Sequence, residues 1–188
     1  MASLRPACRT LVKAMRRVAS QIEEGRFMTA LSPTTERRLR VQGFTADKAW
    51  LAEVASWLRL SPVLCATFAA VGTATASPTI LFALAATALL GAMLPFHPFD
   101  LIYNFGLRFL VRKRPLPPNG APRRFACGIA AVWLVTTALL FLNGAMALGY
   151  TLGILFVLVA GLVSTTDICI PSMIFHALRR LAGASAAP

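Results

Sequence analysis

Charged residues are missing from two long stretches of this chain of 188 residues. Residues 61–99 and 125–166 contain no Asp, Glu, Lys or Arg. Each stretch is about 40 residues long, twice the roughly 20 apolar residues that a helix needs to cross a bilayer. Turn-forming residues lie near the middle of each, Thr-Ala-Ser-Pro at 75–78 and Asn-Gly at 143–144. We therefore predict two helical hairpins, which together make four transmembrane helices.

Catalytic and nucleotide-binding motifs are also missing. The sequence has no glycine-rich phosphate loop, no HExxH zinc motif and no GxSxG nucleophile motif. The lack of charge within the predicted spans argues against ion-coupled carriers and proton pumps, whose coupling sites are ionisable groups at membrane depth. The leading expectation is therefore a non-catalytic accessory or scaffolding subunit of a larger membrane complex, of the respiratory or photosynthetic type, with other membrane subunits as partners.

Histidine is scarce, with His97 and His176 as the two examples. Each lies in a short segment that follows one predicted hairpin, near the membrane boundary. A single imidazole there would suit a haem or a chlorophyll-type pigment. No second histidine shares a helix face with either residue, so no cofactor is predicted. A haem- or pigment-binding protein that uses His97 or His176 stays open as an alternative.

The four cysteines are widely spaced, at Cys8, Cys65, Cys127 and Cys169. Their separations match neither paired zinc ligands nor a CxxC redox motif, which predicts small packing residues. The enzyme alternative is a membrane thiol or quinone oxidoreductase that uses Cys169. His176 lies seven residues further along, which is two helical turns and about 10 Å. This distance is too long for the imidazole to activate the thiol directly unless the chain bends.

The charge balance is strongly basic, with 19 Lys and Arg against 7 Asp and Glu and a net charge of +12. Cationic segments stay on the cytoplasmic side of a membrane. Because the number of predicted spans is even, both termini are predicted to be cytoplasmic, in a multi-pass protein of the cytoplasmic membrane. We predict anionic lipids and not nucleic acid as the partner of the basic residues. The predicted headgroup contacts are Arg112, Lys113, Arg114, Arg123 and Arg124.

The predicted all-α chain divides into four segments. Residues 1–60 form a basic, amphipathic, helical cytoplasmic arm, and residues 61–112 form the first hairpin and an interfacial helix. Residues 113–124 form a basic, proline-rich cytoplasmic loop. Residues 125–188 form the second hairpin and an interfacial C-terminal helix. Both short segments after the hairpins carry apolar residues at helical spacing and end in arginine, which suits the headgroup region.

Small residues recur at four-residue steps within the predicted spans. Such stripes let helix backbones approach closely, either inside one bundle or against a neighbouring subunit. The predicted packing positions are Ala83, Thr87 and Gly91 in the second span, and Gly149, Gly153 and Gly161 in the fourth.

Three stretches carry a resemblance to a known family. They are Pro-Phe-His-Pro-Phe-Asp-Leu-Ile-Tyr-Asn at 95–104, Pro-Asn-Gly-Ala-Pro-Arg-Arg-Phe-Ala-Cys at 118–127, and Asp-Ile-Cys-Ile-Pro-Ser at 167–172. From about residue 61 to 181, the chain resembles the bacterial integral-membrane family known as domain of unknown function 4395. The resemblance implies a multi-span membrane topology. Members often carry two cysteines close together after the last span, and some occur beside thiol-redox proteins. This chain has Ser172 at the place of the second cysteine.

Overall fold

A computed structural model describes residues 31–185, and within this range every regular element is helical. The predicted basic helix in the first 30 residues lies outside the described range. In chain order the elements are α1 Pro33–Val41, α2 Lys48–Val54, a 3₁₀ turn Trp57–Arg59, α3 Leu60–Ala74, α4 Pro78–Met93, α5 Pro98–Ile102, a π-helical turn Tyr103–Leu107, α6 Arg108–Val111, α7 Ala121–Leu142, α8 Met146–Thr166 and α9 Ile170–Ser185.

Proline and small turn residues set the helix boundaries. Proline is the first residue of α1, α4 and α5, where its fixed φ favours a helix and its missing N–H costs nothing. The turn between α3 and α4 contains Ala76 at a φ of +44°, and the turn between α7 and α8 contains Gly144 at +73°. Only glycine adopts such angles without a steric penalty. These short turns hold α3 beside α4 and α7 beside α8.

The four longest helices before α9 form one bundle. Its most extensive contacts are between α4 and α7 and between α3 and α8. The core is apolar and contains Ala69, Leu81, Leu84, Ala85, Leu134, Ala138, Phe141 and Phe156. Many large apolar side chains on the outside of these helices are exposed, for example Val132 at 69% and Leu158 at 63%. An apolar exterior around an apolar core is what a lipid solvent requires.

Three described helices are long and apolar enough to cross a membrane. They are Trp57–Ala74, which includes the 3₁₀ turn, Ala121–Leu142 and Met146–Thr166. A fourth candidate is the pair Pro78–Met93 and Pro98–Val111, which is bent by 82° at its break. The chain therefore has three candidate spans, or four if the bent pair counts as one, and the first begins four residues before the predicted start at residue 61.

A second core lies at one end of the bundle. It joins the described part of the predicted arm to the segment after α4 and to the proline-rich loop, through Leu31, Leu39, Phe44, Leu51, Val54, Leu58, Tyr103 and Leu116. The backbone N–H of Leu116 donates to Asn104 Oδ1 at 2.7 Å, and Trp50 Nε1 donates to the Pro115 carbonyl at 2.8 Å. The described arm and the loop are therefore packed against each other.

The polar contacts of the bundle gather at this same end. Arg38 donates to the Thr166 carbonyl at the end of α8 at 2.7 Å, and Arg59 forms two hydrogen bonds to the Asp167 carboxylate. Arg124, near the start of α7, donates to the last turn of α4. The starts of α3 and α7 thus lie together with the ends of α4 and α8. We call this region the charged end of the bundle.

Candidate functional site

A buried carboxylate lies at the centre of the charged end. Asp100 is 2% exposed and lies in the first turn of α5. The sharp bend after α4 places this turn at the charged end of the bundle. The Asp100 oxygens accept hydrogen bonds from the Ser61 hydroxyl, from the His97 backbone N–H at 3.1 Å and from Asn119 Nδ2 at 3.4 Å. The guanidinium of Arg123 lies 4.0 Å away. Burial of a charge is tolerated because it has an opposite charge and hydrogen-bond donors around it.

Arg123 is part of this network and is not a headgroup contact. Its side chain is buried, donates to Gln42 Oε1 and to the Leu58 carbonyl at 3.4 Å each, and stands over the Phe44 ring at 5.0 Å. The predicted lipid contact at Arg123 is therefore corrected: the side chain points inward to the Asp100 carboxylate.

The other predicted headgroup residues lie at the surface of the charged end. Arg112 is exposed, while Lys113 and Arg114, also exposed, contact Glu53 through its carbonyl and its carboxylate respectively. Arg124 is half-buried and uses two of its N–H groups on carbonyls at the end of α4. Charge remains accessible at these four positions.

One pocket of the bundle is lined by Gln42 and Arg123 of the charged end and also by three cysteines. Its volume is about 130 Å³, and most of its surface is apolar. Cys65 reaches it from α3, Cys127 from α7 and Cys169 from the residue before α9, and His97 also lines it. All three cysteines are free; Cys169 is buried and the other two are half-buried. The sequence separations had indicated isolated packing residues, whereas the fold places the three side chains around one pocket.

His97 has both ring nitrogens engaged. Nδ1 accepts a hydrogen bond from the Phe99 backbone N–H at 3.3 Å, which places the ring proton on Nε2. Nε2 lies 3.9 Å from Cys65 Sγ, so its N–H points toward the sulfur. The ring packs against Gly91, where a Cβ would stand 2.5 Å from His97 Cδ2. Neither nitrogen presents a free lone pair to a haem or a pigment in this arrangement.

Cys169 has Ser172 and not His176 as its polar neighbour. The Ser172 hydroxyl, fully buried, donates to Cys169 Sγ at 3.1 Å and lies 3.4 Å from the Pro122 carbonyl. His176 Nε2 lies 3.0 Å from the Val41 carbonyl and must donate its proton there. The His176 imidazole is therefore engaged with the end of α1 and not with Cys169, as the separation of two helical turns predicts. His176 also lacks a free Nε2 for a cofactor.

The predicted small-residue positions divide into two groups. Gly91, Gly149 and Gly153 are buried against other side chains, respectively His97, Phe141 and Thr73. Thr87 is half-buried and its hydroxyl donates to its own helix. Ala83 is exposed, and a Cβ at Gly161 would meet no atom within 4 Å. Of the six predicted positions, Gly91, Gly149 and Gly153 are therefore the ones that pack closely against other described side chains.

The described residues do not assemble a metal site. Within residues 31–185, no group of three or more His, Cys, Asp or Glu side chains is arranged to hold a metal ion. The chemistry that the pocket offers is that of thiols, one imidazole and an apolar wall.

Comparison with known proteins gave one match. No curated protein and no solved structure matches the chain. A sequence model of the family described as "Domain of unknown function (DUF4395)" matches residues 55–180. This range covers more than half of the chain and includes the bundle, the bend after α4, the Asp100 network and the three pocket thiols. The chain therefore belongs to the DUF4395 family.

Proposed function

We propose that this protein is a membrane thiol oxidoreductase whose reactive groups are two of the three pocket thiols. One observation carries the proposal: Cys65, Cys127 and Cys169 are far apart in sequence, yet three different elements place them around one pocket. The pocket also contains His97, whose Nε2–H points toward Cys65. A thiolate is the reactive form of cysteine. Hydrogen bonding from this N–H favours the thiolate, whereas the apolar wall of the pocket opposes it.

The reaction converts two thiols into one disulfide and releases two electrons and two protons. A quinone accepts the two electrons and the two protons and becomes a quinol, so atoms and electrons balance. The pocket supports this choice of acceptor, because it is mostly apolar and has a volume of about 130 Å³. An apolar cavity of about 150 Å³ holds a benzene ring. The pocket is slightly smaller than that cavity, so we expect the edge of a quinone ring to enter it while the ring substituents and the tail stay outside, in lipid.

The test uses purified protein in detergent with Cys8 replaced by serine, so that only the pocket thiols remain. We expect a fully substituted benzoquinone, decylubiquinone, to yield about one quinol per chain, measured by absorbance. Mass spectrometry should then find one disulfide among the three pocket cysteines. Serine at either partner of that disulfide should abolish quinol formation, and serine at the third cysteine should not. Equal quinol formation by the variant that lacks all three thiols would reject the proposal.

The proposed topology has four spans formed by α3, α4, α7 and α8, in the cytoplasmic membrane. Residues 98–111 then lie along the interface, which is supported by the 82° bend and by the core that this segment shares with residues 31–60. The charged end faces the cytoplasm, because Lys and Arg are retained on that side. Both termini are then cytoplasmic.

A second candidate function is that of an accessory subunit in a larger membrane complex of the respiratory or photosynthetic type. Gly161 favours it, since a Cβ there would meet no atom of the described chain and a neighbouring helix would fit closely. Gly161→Leu should leave the protein folded and release partner subunits during purification in mild detergent. The control is Ile154→Leu on the same helix, where an exposed apolar side chain is already present. Partners retained equally by both variants, or absent from the wild type, would exclude this candidate.

A further inference from the structure

A groove runs along the outside of the bundle, beside the thiol pocket. Its volume is about 880 Å³, and α4, α7 and α8 form its walls. Along α7 its lining follows one helix face at steps of three and four residues, from Ala121 to Thr136. Leu89 and Ala92 of α4 and Leu152 of α8 complete the walls. The lined part of α7 spans 15 residue steps, which corresponds to about 22 Å.

The groove has a cation at one end. Arg124 is its charged lining residue and lies at the charged end of the bundle. Its Nε donates to the Ala92 carbonyl at 2.8 Å and its Nη2 donates to the Met93 carbonyl at 2.7 Å. A guanidinium has five N–H donors. Three of them therefore have no acceptor among residues 31–185, and the two hydrogen bonds to α4 hold the group at the mouth of the groove.

We propose that this groove binds one membrane glycerophospholipid, with its phosphodiester on Arg124 and one acyl chain along the α7 face. The charges match, because a phosphate is the anion whose oxygens suit the fixed fork of a guanidinium. The lengths match as well. The hydrocarbon core is about 30 Å thick, so the groove of about 22 Å extends over one leaflet and its interface. The volume also lies within the range of ordinary ligand sites.

Substitution of Gly128 tests whether a lipid chain occupies the groove. Gly128 lies midway along the groove, and a Cβ there would meet only the Ala92 Cβ, at 3.9 Å. A Cβ at this position is therefore accommodated without a clash, and a larger side chain extends from it along the groove. Val132, one turn further and 69% exposed, offers a second way to fill the same space.

The experiment measures bound lipid by native mass spectrometry after exchange into a non-lipid detergent. The wild type should retain one phospholipid, and should rebind added phosphatidylglycerol or phosphatidylcholine but not a diacylglycerol with the same chains. Gly128→Leu and Val132→Trp should each lower lipid occupancy at least tenfold. Arg124→Gln should lower it for both phospholipids, since the phosphodiester is the recognised group.

The matched control is Gly161→Leu, which makes the same substitution on α8 away from the groove. It should keep wild-type occupancy, and the thermal midpoints of Gly128→Leu and Val132→Trp should equal its own. Arg124→Gln also loses two hydrogen bonds to α4, so its midpoint is expected to be lower. Two results would overturn the proposal. One is lipid occupancy that is equal in Gly128→Leu, Val132→Trp and Gly161→Leu. The other is loss of a co-purified membrane protein from the groove variants in place of loss of a lipid, which would assign the groove to a partner helix. The thiol-dependent reaction is a separate property, because none of these variants removes a cysteine.

Discussion

Leucine in place of Gly153 should prevent α3 and α8 from packing and should leave the protein unfolded or aggregated in detergent. A Cβ at Gly153 would stand 2.5 Å from Thr73 Cγ2 and 3.0 Å from Thr73 Cβ. Thr73 lies on α3, is 4% exposed and carries two heavy atoms on its Cβ, so rotation about χ1 clears little space. Overpacking of a tight core costs about 1–3 kcal/mol for small additions, which we expect for Gly153→Ala, and leucine adds three more carbons.

The control for this prediction lies on the same helix. Gly161→Leu should keep the wild-type midpoint in thermal unfolding, because a Cβ there would meet nothing within 4 Å. A double variant, Gly153→Ala with Thr73→Ala, should recover most of the midpoint that Gly153→Ala loses, since it removes the Thr73 atoms that clash. Equal midpoints for Gly153→Leu and Gly161→Leu would contradict the close contact between α3 and α8.

Gly161 also shows how far sequence spacing can predict helix contacts. The four-residue repeat in α8 predicted a single packing face, and Gly149 and Gly153 do lie against neighbouring side chains. Each step of four residues, however, turns a helix by about 40° beyond a full turn. Gly161 is therefore rotated by about 80° from Gly153 and faces away from α3. Only the direction of the partner helix, which is a tertiary property, separates these positions.

The cysteines show the same limit. The charge-free stretches predicted how deep Cys65 and Cys127 lie along their spans, since both are close to the end of a stretch that borders charged residues. Depth alone does not tell which side of a helix faces a neighbour. The thiols line one pocket because the helices of the bundle and α9 pack around it, and no feature of the spacing between 65, 127 and 169 encodes that arrangement.

The sequence predicted which basic residues lie outside the spans, but not which of them are buried. The sequence placed the basic residues beside the membrane, and four of the five predicted headgroup residues keep accessible charge. Adjacent positions on a helix, however, point about 100° apart. Arg123 therefore turns inward to Asp100 while Arg124 faces the groove. The inward position of Asp100 depends on the bend after α4, a tertiary feature that side-chain spacing does not encode.

Arg123→Gln should destabilise the protein by about 3–5 kcal/mol, the usual cost of removing one partner from a buried ion pair. The substitution leaves the Asp100 carboxylate, whose side chain is 3% exposed, without an opposite charge. It also removes the hydrogen bonds to Gln42 and Leu58 and the contact with the Phe44 ring. Thermal unfolding in detergent, followed by tryptophan fluorescence, measures the loss.

The chain supplies a control with exposed ion pairs, since Arg114 contacts Glu53 at 3.5 Å and also lies near Asp47. Arg114 and Asp47 are also 4.0 Å apart, but their side chains are 57% and 63% exposed. Arg114→Gln should therefore cost less than about 1 kcal/mol, because water and salt screen an exposed pair. The double variant Arg123→Gln with Asp100→Asn should be more stable than the two separate losses predict, since the unpaired carboxylate is gone. Equal losses for Arg123→Gln and Arg114→Gln would mean that the Asp100 network is solvated, and that the bend after α4 does not seal the charged end.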